Sequence, residues 1–106
     1  MNIEKIKLAV SDFHPHLKAR MLERGVTEEE VEKTLEEGWE ADDAKAGTTG
    51  KVFVSPYNSD WEGKPFAEKE VTVYYKLAGG KFVLLTVKAR YGKSFSKGGG
   101  GHANRI

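Results

Sequence analysis

Residues 70–91, EVTVYYKLAGGKFVLLTVKARY, decide the fold because they contain two strong strand patterns around a glycine pair. β-Branched and aromatic residues dominate both halves, which is typical of β-strands. Gly79 and Gly80 between them predict a two-residue hairpin turn. That turn places Val73 opposite Thr86. One face of the hairpin is then predicted to carry Val71, Val73, Tyr75, Leu77, Phe82, Leu84, Thr86, Lys88 and Arg90.

The residues before this hairpin give weaker strand signals. Residues 51–55, KVFVS, predict another strand, and residues 39–44 predict a weak, acidic edge strand. Residues 56–69 contain two prolines and many polar side chains, so they predict a long loop. Both faces of the predicted sheet are half apolar, and the pattern does not decide which face the helices cover.

Residues 14–31, HPHLKARMLERGVTEEEV, predict two short helices joined by a glycine turn. Asp12 is the expected N-cap of the first helix, which Gly25 ends because glycine adopts the left-handed conformation freely. Thr27 and Glu30 have the spacing of a capping box for the second helix. The expected fold is therefore α+β, with two N-terminal helices packed on an antiparallel β-sheet of three or four strands.

Length and composition limit what the chain can be. Its 106 residues are enough for one domain, which we place at residues 1–92. Residues 93–106 predict a flexible, basic, glycine-rich tail. No apolar run approaches the length of a membrane span, so we expect no membrane partner. The chain has no cysteine, which excludes disulfides and thiolate sites and favours a cytoplasmic location.

The net charge of +1 hides a separation of charge along the chain. Residues 27–43 contain nine acids and one base, whereas residues 76–106 contain seven bases and no acid. Such a separation predicts one surface that attracts polyanions and another that repels them or meets a basic partner. Solvated helices rich in glutamate and strand edges rich in lysine give the same pattern without any partner.

The first predicted helix carries a candidate site for chemistry at a phosphate. His16, Arg20 and Arg24 recur once per helical turn. A histidine transfers protons near neutral pH, and an arginine one turn away can hold an anion beside it. In the alternative interpretation His16 caps or packs on the helix, while Arg20 pairs with Glu23 or with an acid of the second helix.

The end of the last predicted strand carries a second set of candidates. Thr86, Lys88 and Arg90 supply a hydroxyl, an ammonium and a guanidinium, which together can bind a phosphate. Tyr74, Tyr75 and Tyr91 can stack on bases or donate hydrogen bonds. The alternative is a solvated strand end with its tyrosines in the core. We expect no cofactor and no metal site, because the spacing of the histidines matches no metal motif.

The chain resembles a family of small bacterial and phage domains of unknown function, some of them in toxin-like contexts. The resemblance covers residues 13–92. Its motifs are His16-x-x-x-Arg20-Met21-x-x-Arg24-Gly25-Val26, a Glu-rich helix ending at Gly38, and the strand end Thr86-Val87-Lys88-Ala89-Arg90-Tyr91-Gly92. The two-helix, four-strand layout is similar to that of ribonucleases of the barnase, EndoU, colicin and RelE type, which cleave RNA without a metal.

This resemblance implies a metal-independent endoribonuclease of the toxin type, with RNA as substrate and an antitoxin or immunity protein as partner. His16 would be the general acid or base, and Arg20 and Arg90 would bind the phosphate. Thr86, Lys88 and Tyr91 are secondary candidates by the same resemblance. Two alternatives stay open: a non-catalytic module that binds RNA or protein through the basic last strand, and a domain whose histidine is structural.

Overall fold

The structure is a computed structural model that describes residues 13–95 of the 106-residue chain. Two helices precede four strands. The elements are α1 (Pro15–Arg24), α2 (Glu28–Glu37), β1 (Trp39–Glu40), β2 (Thr49–Trp61), β3 (Lys64–Ala78) and β4 (Lys81–Gly92). The prediction of an α+β fold, with two N-terminal helices on an antiparallel sheet of three or four strands, is confirmed.

The boundaries of α1 follow from its terminal residues. The backbone N–H of Leu17 donates to Nδ1 of His14, which is the N-cap, at 3.4 Å. Pro15 occupies the first turn, where its missing N–H costs nothing. Gly25 ends the helix with φ +71°, as predicted. The prediction that Asp12 is the N-cap is therefore wrong, because His14 has this role; Asp12 itself lies outside the described residues.

The predicted capping box of α2 is confirmed. The N–H of Glu30 donates to the Thr27 hydroxyl at 3.1 Å, and the Thr27 N–H donates to the Glu30 carboxylate at 2.9 Å. Two backbone donors that have no partner within the helix are satisfied in this way. Val31 and Leu35 are buried on the inner face of α2, as the apolar spacing predicts.

The sheet is an antiparallel meander in the order β1-β2-β3-β4. The predicted edge strand at residues 39–44 is shortened to the two residues of β1. The prediction that residues 56–69 form a loop is wrong, because β2 and β3 continue through this segment as a long hairpin arm. Glu62 and Gly63 form its turn, both with positive φ, between the paired Trp61 and Lys64.

Both helices pack on one face of the sheet, where the core lies. The core consists of Phe13, Leu17, Met21, Val26, Val31, Leu35, Val71, Val73, Tyr75, Leu84 and Val87. Because neighbouring residues of a strand point to opposite faces, the positions between these lie on the other side. We call that side the far face; its members on β2, β3 and β4 include Val54, Glu70, Thr72, Tyr74, Thr86, Lys88 and Arg90.

A buried lysine joins the turn between the helices to the sheet. The Lys69 side chain is 3% exposed, and its ammonium donates to the Gly25 carbonyl at 2.5 Å and to both carboxylate oxygens of Glu30. The Trp61 ring stacks on Tyr91 at 4.7 Å between centroids and covers Gly25. The hairpin arm is thereby fixed against the end of α1.

Candidate functional site

A β-bulge in β4 decides on which face the basic residues of the last strand lie. The predicted turn at Gly79 and Gly80 is confirmed, and pairing follows the prediction as far as Tyr75 and Leu84. The next pair joins Tyr74 to Thr86, so Leu85 has no partner. One extra residue exchanges the two faces of a strand from that point onward.

The predicted register beyond the bulge is therefore wrong. Val73 pairs with Val87, not with Thr86, and both valines are fully buried in the core. Thr86, Lys88 and Arg90 pair with Tyr74, Thr72 and Glu70 on the far face. These three candidate residues do share one face, as predicted, but it is the face opposite the helices.

Lys88 belongs to a hydrogen-bonded group on the far face. Its ammonium donates to Oδ2 of Asp43 at 3.0 Å, and the Tyr74 hydroxyl donates to Oδ1 at 2.8 Å. The Lys88 ammonium also lies 5.1 Å from the centre of the Tyr74 ring. These hydrogen bonds, that of Tyr74 foremost, lower the pKa of Asp43. The carboxylate is therefore ionised and accepts both bonds at neutral pH.

Arg90 is the second cation of β4 on the far face, two residues after Lys88. We call Lys88 and Arg90 the cationic row. Its guanidinium pairs with the Glu70 carboxylate through two hydrogen bonds, of 2.8 and 3.2 Å. The same guanidinium lies 4.8 Å from the centre of the Phe95 ring. The Phe95 N–H donates to Glu68, so the chain is anchored as far as this residue. The rest of the predicted tail, residues 96–106, lies outside the described residues.

Both cations of the far face are exposed, although each has an acidic partner. The side chains of Lys88 and Arg90 are 54% and 66% exposed. Surface ion pairs of this kind contribute between zero and about 1 kcal/mol each. A phosphate group can therefore compete with the carboxylates for these cations.

The candidate residues of the first helix, His16 and Arg20, lie on the other side of the sheet from Lys88 and Arg90. His16 and Arg20 are on α1, which packs on β4 from the opposite side of the sheet through Leu17 and Met21. Arg20 pairs with Glu23 at 3.0 Å, the alternative that the sequence left open. His16 is exposed and its ring stacks on that of His14 at 6.3 Å. The sheet thus separates His16 and Arg20 from Lys88 and Arg90.

Three further candidate residues belong to the core or to the helix side of the sheet: Tyr75, Tyr91 and Arg24. Tyr75 is 6% exposed in the core and packs edge-on against Phe82. The Tyr91 hydroxyl donates to the backbone carbonyl of Arg24 at 2.6 Å, on the helix side of the sheet. Burial raises the pKa of Tyr91 to about 12, so this hydroxyl stays protonated at neutral pH. None of the three joins the cationic row of the far face.

The far-face group includes Tyr74, which the sequence analysis named, and three residues that it did not single out for this site: Asp43, Glu70 and Phe95. The acids pair with the cations, and Tyr74 links the loop after β1 to the sheet. The signal that could have found Glu70 is its position opposite Arg90, which becomes visible only once the bulge is known. For Asp43, 45 residues before Lys88, no local pattern gives the contact.

Among residues 13–95 no three histidine, cysteine, aspartate or glutamate side chains are grouped as a metal site requires. No helix in this described range has the length and apolarity needed to cross a membrane. Scans against protein-family models, curated proteins and solved structures found no match. Membership of the family that the helix motif resembles therefore stays a prediction.

Proposed function

We propose that this protein binds single-stranded RNA on the far face of its sheet without cleaving it. The observation that carries the proposal is the bulge at Leu85, which places Thr86, Lys88 and Arg90 in one row on this face. Alternate residues of a strand lie about 6.8 Å apart, so the row presents its polar groups at regular intervals along β4. One hydroxyl and two cations at this spacing suit the repeating phosphates of a nucleic-acid strand.

Positively charged residues outside the cationic row also favour a nucleic-acid ligand. Lys76 and Lys81 belong to the far-face positions of the β3–β4 hairpin, and both are exposed. In the sequence, residues 76–106 contain seven bases and no acid. Positive charge concentrated in this way raises the rate of encounter with a polyanion. Phe95, which is half-buried beside Arg90, offers an aromatic ring on which an unpaired base can stack.

The distribution of proton-transfer groups favours binding over cleavage. Cleavage by 2′-OH attack needs a base and an acid at the phosphate that the cations hold. Within residues 13–95 both histidines belong to α1 and its N-cap, on the other side of the sheet. The far face supplies Asp43 and Glu70, both held by cations, and Tyr74, whose pKa burial raises.

Labelled single-stranded RNA tests the proposal through the salt dependence of its binding. We expect Lys88→Ala and Arg90→Ala each to weaken binding and to reduce the slope of log K against log salt by about 0.7, the value for one phosphate contact of a single strand. Lys18→Ala is the matched control, because Lys18 is an exposed cation on α1. Equal effects of all three substitutions would show that only net charge matters, and would contradict the proposal.

Incubation of the same RNA with wild-type protein in EDTA separates binding from cleavage. We expect the RNA to stay intact. Products that end in a 2′,3′-cyclic phosphate, and that disappear with His16→Ala, would instead establish the ribonuclease that the family resemblance implies. Protein that neither binds nor cleaves RNA would favour the third interpretation, in which the histidine is structural.

A further inference from the structure

The loop between β1 and β2 lies on the far face and reaches the cationic row. We call this loop, residues 41–48, the strap. At its start, the Ala41 N–H donates to the Gly50 carbonyl at 2.8 Å. A Cβ atom on Gly50 would lie 2.9 Å from the Cβ of Ala41 and 3.0 Å from the Tyr74 ring. The absence of a side chain at Gly50 thus lets the strap lie directly on the sheet.

The side chain of Asp43 joins the strap to the cationic row. Its Oδ1 accepts a hydrogen bond from the Tyr74 hydroxyl at 2.8 Å, and its Oδ2 accepts one from the Lys88 ammonium at 3.0 Å. A phosphate group offers charged oxygens to such donors as a carboxylate does. The Asp43 carboxylate therefore occupies a position in which a phosphate can accept the same two bonds.

The two acids that pair with the cationic row differ in how easily they can leave it. Glu70 lies in β3, which is paired on both sides, and its side chain is 16% exposed. Asp43 lies in a loop, and its side chain is 53% exposed. Within the described residues, the N–H and hydroxyl of Thr48 both donate to Lys45 of the strap itself. Withdrawal of Asp43 therefore breaks its two side-chain bonds and leaves the sheet intact.

We propose that the strap is an autoinhibitory element, in which Asp43 occupies one phosphate subsite of the far face until bound RNA displaces it. This inference rests on the proposed binding of RNA by the far face. The incoming phosphate takes the Lys88 ammonium and the Tyr74 hydroxyl as donors in place of the carboxylate. The apparent affinity for RNA is then reduced according to the fraction of the protein in which the strap is closed.

Asp43→Asn tests this competition through the affinity for RNA. The probe is a labelled oligouridylate of about ten nucleotides, which is within the usual site size for single strands. Asparagine keeps an oxygen for the Tyr74 hydroxyl but has no charge for Lys88, so we expect affinity to rise about fivefold. Asp42→Asn is the matched control, because Asp42 is the exposed neighbour and its loss changes the net charge equally. Its effect should be less than about twofold.

The same substitution in a Lys88→Ala background shows whether Asp43 acts through Lys88. We expect the gain from Asp43→Asn to fall below about twofold there, because the cation for which carboxylate and phosphate compete is absent. An equal gain in both backgrounds would show that Asp43 merely repels RNA, and would contradict the proposal.

Displacement of the strap is measured by NMR relaxation of its backbone amides in the full-length protein. In free wild-type protein we expect order parameters of about 0.85 for residues 42–47, the value for rigid backbone. Saturating oligouridylate should lower them below about 0.6, and Asp43→Asn should lower them without RNA. Unchanged order parameters in the complex would overturn the proposal, because the strap would then stay closed.

The results also separate this inference from the proposed function. If Lys88→Ala weakens RNA binding while Asp43→Asn changes nothing, the far face binds RNA and the strap does not regulate it. If neither wild-type protein nor Asp43→Asn binds the oligouridylate, both proposals are wrong. Binding by Asp43→Asn alone would show that the closed strap blocks the site in the wild-type protein.

Discussion

At the scale of single residues, Lys69 has the most enclosed charge among the described side chains. Its ammonium has three hydrogen bonds, to Gly25 and to both oxygens of Glu30, and lies 5.4 Å from the centres of the Tyr57 and Tyr91 rings. Removing one partner of a buried ion pair leaves the other without compensation. Glu30 also closes the capping box of α2, so the stability of that helix depends on Lys69.

Lys69→Met tests this role of the buried ammonium. We expect a loss of about 2–3 kcal/mol in the free energy of unfolding, because Gly25 and Glu30 lose their donor while the volume stays similar. Lys33→Met is the control: Lys33 pairs with Glu37 at the surface, and its loss should cost less than about 0.5 kcal/mol. Urea unfolding measures both. Equal losses would show that the Lys69 bonds contribute no more than surface pairs.

The raised pKa of Tyr91 predicts how the stability of the protein changes at alkaline pH. Its pKa is about 12 in the folded protein, against an ordinary value of 10.0. Between these values the unfolded chain ionises while the folded chain does not, so the stabilisation is complete below pH 10 and is lost as pH rises toward about 12.

Tyr91→Phe should cost about 1 kcal/mol at neutral pH, through the lost bond to Arg24. Because phenylalanine does not ionise, the stability difference from wild type should shrink above pH 10. Unfolding midpoints across this range provide the measurement. Parallel pH profiles for the two proteins would show that Tyr91 is not the group responsible.

At the scale of elements, the hairpin arm of β2 and β3 reaches back over the end of α1. A Cβ atom added to Gly25 would lie 2.5 Å from the Trp61 ring. Gly25 is also in the left-handed conformation, with φ +71°. The close approach of these two elements therefore requires glycine for both its conformation and its size.

Gly25→Ala and Gly63→Ala separate these two requirements. Gly63 has φ +86° but no atom within 4 Å of an added Cβ, so its substitution should cost only the conformational term of about 1 kcal/mol. Gly25→Ala should cost about 1–3 kcal/mol more, because the Trp61 ring must move. Thermal or urea unfolding gives both values. If both variants lose the same stability, the contact with Trp61 is loose.

The elements also show how far local sequence patterns determine the fold. The C-cap at Gly25, the capping box of α2, the apolar spacing and the glycine pair at residues 79–80 are local signals, and each predicts its element correctly. The bulge at Leu85 has no such signal. Residues 82–85 are all apolar, so the sequence does not show which of them face the core and which face the other side of the sheet. The prolines and polar residues of the arm at residues 56–69 predict a loop, because they are typical of loops. The aromatic contacts that hold the arm join residues distant in the sequence, so no local pattern shows them.

The candidate site was predictable only in part for the same reason. The grouping of Thr86, Lys88 and Arg90 follows from their spacing along one strand, and it survives the bulge because all three come after it. These three residues are separated from His16 because the helices cover the opposite face of β4. The register beyond Leu85 decides which face that is, since it turns Val87 toward the helices and Thr86, Lys88 and Arg90 away from them. The partners Asp43 and Glu70 come from distant parts of the chain.

At the scale of the whole molecule, the meander predicts how local stability is distributed. β3 pairs with a strand on each side and contributes Val71, Val73 and Tyr75 to the core. β1 consists of two residues, and the arm at residues 59–65 is mostly exposed. Regions with few buried contacts open at lower free-energy cost than the core.

Native-state hydrogen exchange should reveal this order. We expect the amides of Val71 and Val73 to exchange only through global unfolding, because they lie in the central strand. Amides near Glu62, at the tip of the arm, should exchange through local opening. NMR of the protein in deuterated buffer provides the rates. Equal protection at both places would show that the arm unfolds only together with the core.

The sheet lies between the glutamates of α2 on one side and the cations of β4 on the other. Opposite charges held apart by a rigid layer give the molecule an electric dipole moment across the sheet. A nearby polyanion then exerts a torque as well as an attraction, so the protein turns while it is still diffusing. A polyanion is therefore expected to meet the cations of the far face first, while the glutamates of α2 stay directed away from it.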